Sequence, residues 1–258
     1  KAPDFSLLGV DGKKYSLNDF EKAKVLVVIF SCNHCPTAQA YEDRIISIVN
    51  EYKPKGADLV MISPNSVKAL NYSELGYSDM GDSFEDMIQR AADRKFTFPY
   101  LYDGDDQKCA LAYGPSATPH CFVFDGNRIL RYAGRVDGSE KPGTGKGEDL
   151  RGAIDAVLAG QTVKNPVTKV FGCSVKWSWK SDYTLKLYKQ WAGLPVTIEE
   201  IDVQGVKDLI KNSSSGKVRL INFWATWCGP CVAEFPDLVI IDRMYRGRPF
   251  ELITVNLD

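Results

Sequence analysis

Twice in this chain a short apolar, β-rich run leads into a Cys-x-x-Cys pair. Val25–Ser31 (VLVVIFS) feeds Cys32-Asn33-His34-Cys35-Pro36, and Val218–Trp224 (VRLINFW) feeds Ala225-Thr226-Trp227-Cys228-Gly229-Pro230-Cys231. Continuous runs of this kind read as strands buried on both faces, as in sheets covered by helices on either side. After the first pair, Ala40, Ile45, Ile46, Ile48 and Val49 keep helical spacing through about Tyr52. Proline costs nothing in a first helical turn, so a helix is expected to start at about Cys32–His34. Both pairs should then sit where a buried strand turns into a helix.

The rest of the first region continues the alternation. Asp58–Ser63 reads as a strand and Ser83–Arg94 as a helix capped by Ser83, with Asp86 three residues on. A short strand at Pro99–Tyr102 and a short helix at Asp105–Tyr113 follow. Cys121–Phe124 and Ile129–Gly134 flank Asp125-Gly126-Asn127, a hairpin signal, and Glu148–Leu158 is a closing helix ended by Gly160. Such an order implies an α/β fold with a mixed central sheet flanked by helices. The reading divides the chain into residues 1–162, a tail and linker at 163–197 containing the Trp177, Trp179, Tyr183, Tyr188 and Trp191 cluster, and residues 198–258. This last part holds a helix at Val203–Lys211, the strand Val218–Trp224, a helix at Ala233–Arg243 and a strand at Phe250–Val255. It is expected to be the N-terminal half of a second domain of the same kind.

The chemistry of the pairs follows from their placement. A thiolate, not a thiol, attacks a disulfide, so a redox cysteine is expected to have a lowered pKa and an accessible sulfur, and a helix N-terminus favours the anion. Cys32 or Cys228 is expected to attack, and Cys35 or Cys231 to resolve the mixed disulfide. His34 can place a cation beside Cys35, which would make Cys32/Cys35 the more oxidising pair and draw electrons from Cys228/Cys231. Zinc would need four converging ligands, whereas the pairs lie nearly 200 residues apart; no metal and no cofactor is expected. Cys109 and Cys121 read as small buried residues, and Cys173 as either a packed tail residue or an extra redox cysteine. A net charge of −1 gives no reason to expect nucleic acid as a partner, and no apolar run approaches the roughly 20 residues that span a bilayer.

The residues also resemble known families. The segment Ile221-Asn222-Phe223-Trp224-Ala225-Thr226-Trp227-Cys228-Gly229-Pro230-Cys231 is similar to the thioredoxin motif of TlpA/ResA-type proteins. Asn222 stands where thioredoxins carry a buried Asp, which leaves Glu234 as the candidate proton acceptor and pKa-modulating group beside this pair. Residues 1 to about 180 resemble the peroxiredoxin-like AhpC/TSA (redoxin) branch of the same superfamily. The residues that carry it are Ala2-Pro3-Asp4-Phe5, Cys32-Asn33-His34-Cys35-Pro36, Phe98-Pro99-Tyr100-Leu101-Tyr102-Asp103 and Gly172-Cys173-Ser174-Val175-Lys176-Trp177.

The resemblance implies a thioredoxin-like domain followed by a second, partial thioredoxin-like unit. It implies a cis-proline at Pro119, with the Thr118 backbone available to pair with an extended substrate strand. The implied activity is thiol–disulfide exchange with protein substrates, fed by an upstream electron donor, in the periplasm or cell envelope, with the cytoplasm as the alternative. The chain opens at Lys1-Ala2-Pro3 as a trimmed product would, so tethering to a membrane through a preceding segment is compatible with this reading. Two rival functions remain open. A thiol peroxidase would need Pro-x-x-x-Thr/Ser-x-x-Cys; the required positions are Val28 and Cys32 before Cys35, or Val25 and Ile29 before Cys32, and neither set fits. A copper-binding or delivery module would use Cys32, Cys35 and His120.

Overall fold

The computed structural model describes residues 1–258 apart from Tyr77 and Asp79. In chain order the elements up to residue 158 are β1 (Ser6–Gly9), β2 (Lys14–Ser16), β3 (Val25–Phe30), α1 (Pro36–Tyr52), β4 (Ala57–Ser63), α2 (Tyr72–Leu75), α3 (Phe84–Asp93), β5 (Tyr100–Tyr102), α4 (Lys108–Tyr113), β6 (His120–Asp125), β7 (Leu130–Gly134) and α5 (Glu148–Leu158). After them come α6 (Ser181–Ala192), α7 (Val203–Lys211), β8 (Val218–Trp224), α8 (Gly229–Ala233), α9 (Phe235–Tyr245) and β9 (Phe250–Asn256). Packing divides the chain into two units, Lys1–Leu70 with Tyr77–Leu185, and Asn71–Gly76 with Lys186–Asp258.

The first unit is built on a seven-stranded sheet in the order β2-β1-β5-β4-β3-β6-β7. β3 lies parallel to β4 and antiparallel to β6, so the sheet is mixed as expected. All six residues of β3 are buried, and the two-residue period of a strand sends them alternately to opposite faces. Val25, Val27 and Ile29 join Tyr41, Ile45 and Ile48 of α1 and Leu150 and Ile154 of α5 in one core. Leu26, Val28 and Phe30 join Phe5, Phe20, Cys109 and Ala110 in the other. Helices thus cover both faces of one sheet, the thioredoxin-like arrangement that the resemblance implies.

Most elements fall where periodicity places them. Ser83 caps α3, its Oγ accepting from the Asp86 amide at 3.0 Å while Asp86 accepts from the Ser83 amide at 3.1 Å. Five features depart from the sequence reading. The hairpin β1–β2 and the short helix α2 have no counterpart in it, and α6 forms where the sequence shows only an aromatic cluster. The expected helix at Ala233–Arg243 is two helices, because Pro236 sits in the first turn of α9 and Glu234 becomes its cap. Finally, α1 begins at Pro36 with Cys35 as N-cap, not at Cys32–His34: with proline at N1 the helix starts behind the pair.

Residues 163–185 pack as part of the first unit, where Val175 is buried and Thr184 Oγ1 donates to the Ala69 carbonyl. In the second unit β8 and β9 form a parallel two-stranded sheet, registered from Val218↔Phe250 to Trp224↔Asn256. Asp202 caps α7 by accepting from the Gly205 amide at 2.7 Å. Tyr72 of α2 stacks on Tyr188 at 4.8 Å between ring centroids.

Candidate active site

Strand register assembles the first site. Phe30 of β3 pairs with His120 of β6 in an antiparallel ladder, and continuing that register by two residues sets Cys32 opposite Thr118. The Thr118–Pro119 peptide is cis, as expected. Thr118 then touches both sulfurs. Its Oγ1 lies 3.1 Å from Cys32 Sγ, and its carbonyl oxygen lies 3.4 Å from Cys35 Sγ, from which it accepts when Cys35 is a thiol.

The loop between the two cysteines is pinned from several directions. Asp82 Oδ1 accepts from the amides of Asn33 at 2.8 Å and His34 at 3.0 Å. Asp82 Oδ2 receives Asn65 Nδ2 at 2.6 Å and lies 2.6 Å from His34 Nδ1. Tyr100 donates to Asn33 Oδ1 at 3.0 Å, and Gln39 Nε2 to the Asn33 carbonyl at 2.7 Å. Burial pushes the Asp82 carboxyl up, but the hydrogen bonds of the His34 ring and amide and of the Asn65 side chain, together with the charge of His34, outweigh it and hold Asp82 below the usual carboxylate range. His34, expected to act on Cys35, thus turns its ring to Asp82, and the carboxylate offsets any cationic field it would lend the sulfur.

Cys32 and Cys35 are both buried, with 2% and 0% of their surface exposed, although accessible sulfurs were expected. Cys173 packs against this pair and pairs with Thr118 as an antiparallel bridge. The two sulfurs are not equivalent. Hydrogen bonding from the Cys173 and Cys32 side chains holds the Cys35 thiol well below the ordinary thiol range, and the Cys173 amide, 3.3 Å from Cys35 Sγ, adds to this. Burial pushes the Cys32 thiol up, and the Asp82 charge adds to it. The thiolate-favouring contacts therefore gather on Cys35, which also caps α1.

Cys109 and Cys121 are buried thiols raised by desolvation, and they belong to the two cores. One set of side chains could hold a metal among the described residues: Cys32, His34 and Asp82, with ligand atoms within 4.8 Å of one another. The Asp82 oxygens in that set already serve four contacts. His34 Nε2 is buried without a hydrogen-bond partner.

His120 stands apart from that set. Its ring stacks on Phe122 at 4.3 Å, and its Nδ1 accepts from the Ser116 amide at 3.2 Å. Burial lowers its pKa from 6.5 to about 4. A base with a folded pKa below its unfolded one leaves the unfolded chain binding more protons, so stability is full above the unfolded pKa and falls as pH drops towards the folded one. Lowering the pH from 7 to about 5 should cost about 2 kcal/mol through this group. Urea denaturation of the wild type and of His120→Asn at both pH values measures it; the variant should lose most of that difference.

The second pair is organised differently. Cys228 and Cys231 form a disulfide, and Cys228, the first cysteine of the pair, is the N-cap of α8. Proline inside Cys-Gly-Pro-Cys puts the helix start at the first cysteine; proline after Cys-Asn-His-Cys puts it at the last. Asn222 Nδ2 donates to Glu234 Oε1 at 2.9 Å, which brings together the two residues singled out around this pair. Trp227 beside it is 78% exposed.

The family model that describes the AhpC/TSA family matches residues 1–133. The chain belongs to the AhpC/TSA family. This AhpC/TSA chain is 32% identical to the hypothetical protein SMc02350 of Sinorhizobium meliloti, whose crystal structure aligns with a TM-score of 0.61 over 69% of this chain and 92% of that one. An uncharacterized conserved protein of Geobacillus kaustophilus is 36% identical, with a TM-score of 0.60 over 69% of this chain and 90% of that one. A thiol-disulfide oxidoreductase ResA of Oceanobacillus iheyensis is 38% identical over 60 residues, 23% of this chain. That match spans 30% of the relative's own length.

Sequence reasoning missed Asp82, the residue that holds the Cys32–Cys35 loop. An acidic residue just ahead of a helix cap reads as a turn, and only the fold brings it 49 positions back to Asn33.

Proposed function

We propose that the chain is a thiol–disulfide oxidoreductase that acts on protein disulfides through Cys32/Cys35 and Cys228/Cys231. The observation that carries the reading is the meeting, at the end of β3, of a sulfur pair with a short backbone edge at Thr118. A peptide strand pairing with that edge would lie against Cys35, where a disulfide it carries can be attacked. In the first pair Cys35 is the attacking thiolate and Cys32 resolves. In the second Cys228 attacks and Cys231 resolves, with Glu234 as proton acceptor through its contact with Asn222. Supporting both assignments, each attacking cysteine is the cap of its helix, where the macrodipole favours an anion.

The partners are protein thiols and disulfides together with an upstream donor, and the place of action is the cell envelope. The likeness to ResA, itself a thiol-disulfide oxidoreductase by name, favours this class. Among the described residues no helix is long and apolar enough to cross a membrane, so tethering would have to come from elsewhere.

The test is dithiothreitol-driven insulin reduction by the full chain and by two forms, Cys32→Ser/Cys35→Ser and Cys228→Ser/Cys231→Ser. Each form should accelerate reduction over dithiothreitol alone, and removing all four cysteines should abolish the effect. No acceleration by either form would sink the proposal. Faster consumption of reductant with hydrogen peroxide than with insulin would point to a peroxidase instead. Stoichiometric Cu(I) uptake lost in Cys32→Ser, without insulin reduction, would point to copper delivery.

A further inference from the structure

We propose that Gly172–Cys173 is a tethered stand-in for a substrate strand, and that Cys173 is a third redox cysteine which exchanges with Cys32 as the disulfide partner of Cys35. The inference rests on the proposed exchange activity and concerns how that site is covered and discharged. Three observations support it. First, the segment already makes the contacts a bound peptide would make: the Thr118 amide donates to the Cys173 carbonyl at 2.9 Å, and the Cys173 amide donates back to the Thr118 carbonyl at 3.2 Å. Second, Cys173 packs against Cys32, Cys35 and Ala38, and its amide also points at Cys35 Sγ from 3.3 Å. Third, residue 172 is built for close approach. Gly172 has φ of +134°, and a Cβ there would collide with the Thr118 carbonyl oxygen, a backbone atom that cannot swing aside.

The exchange balances without an added oxidant. Starting from a Cys32–Cys35 disulfide, the Cys173 thiol loses its proton and its sulfur bonds to Cys35 Sγ. The Cys32–Cys35 bond breaks and Cys32 leaves with the electron pair, taking up the proton. One disulfide and one thiol go in, and one disulfide and one thiol come out. With Cys35 joined to Cys173 the strand stays clamped on Thr118. Reduction of that bond frees the strand to lift, and only then can an external strand pair with Thr118 and reach the buried sulfurs.

The experiment uses the full chain in a Cys228→Ser/Cys231→Ser background. Cys32→Ser in that background is oxidised with diamide, quenched in acid and mapped by mass spectrometry without reduction. A Cys35–Cys173 peptide pair should dominate, and it should disappear on adding dithiothreitol. Recovery of Cys35 as a thiol, or linked no more often to Cys173 than to Cys109 or Cys121, would overturn the inference. Gly172→Val displaces the strand while retaining every cysteine. It should suppress the Cys35–Cys173 product and raise insulin reduction about five- to tenfold, since the competent fraction sets the apparent rate. An unchanged rate and yield would overturn the stand-in role. The two readings fail separately: a Cys35–Cys173 disulfide without insulin reduction removes the oxidoreductase proposal, and insulin reduction without that disulfide removes this one.

Discussion

Cys35→Ser, made in the Cys228→Ser/Cys231→Ser background, is expected to slow reduction of a protein disulfide on the order of a thousandfold, to the rate of dithiothreitol alone. The serine hydroxyl is not ionised at neutral pH and cannot take the place of a thiolate. The prediction is asymmetric. Cys35 caps α1 and has the Cys173 and Cys32 side chains holding its thiol low, while burial and the Asp82 charge push Cys32 the other way. Cys32→Ser combined with Cys173→Ser keeps a hydroxyl donor at each position, the helix cap and the residue 173 amide, so Cys35 should still attack and then stall as a mixed disulfide because no resolving thiol remains. Gel electrophoresis without reductant after mixing with an oxidised substrate peptide reads the trapped species. If Cys35→Ser traps substrate on Cys32 instead, the assignment of attacker and resolver is reversed.

Asp82→Ala should destabilise the first unit by about 3–5 kcal/mol, measured as a shift of the urea transition. Asp82 is fully buried, and its two oxygens serve the Asn33 and His34 amides, the His34 ring and the Asn65 side chain. Truncation orphans all four groups where water does not reach, and an unmade buried hydrogen bond costs more than a made one contributes. Asp82→Asn keeps an oxygen for the two amides and should cost clearly less. It also removes a negative charge that raises the Cys32 thiol, so the Cys32 pKa should fall in this variant. A shift below about 1 kcal/mol for the alanine variant would mean that the loop is held by its other contacts, those of Tyr100 and Gln39.

How much of this was legible beforehand depends on the range of the interaction. β3 could be read from composition alone, because a strand covered on both faces needs apolar residues at every position, and Val25–Phe30 supplies them. Both Cys-x-x-Cys pairs and the cis-proline partner Thr118–Pro119 were visible as local patterns, the last through resemblance. The start of α1 was misplaced although its signal was present: Pro36 at N1 sets the boundary, and the position of proline relative to each pair decides which cysteine becomes the cap. Asp82 and the packing of Cys173 against Cys35 were out of reach. Each depends on segments 48 and 138 positions apart being brought together, and neither Gly81-Asp82-Ser83 nor Gly172-Cys173 carries a local signature of what it will touch. The burial of the sulfurs follows from the same long-range packing.

One residue ties these parts together. Thr118 meets Cys32 through its hydroxyl, Cys35 through its carbonyl, and Cys173 through its amide. Any change in which sulfurs are joined, or in whether Gly172–Cys173 is seated, must therefore be felt at a single residue. Its backbone resonance should act as a spectroscopic gauge of the first site, taking a separate chemical shift for the fully reduced chain, for each of the two disulfides and for the strand lifted away.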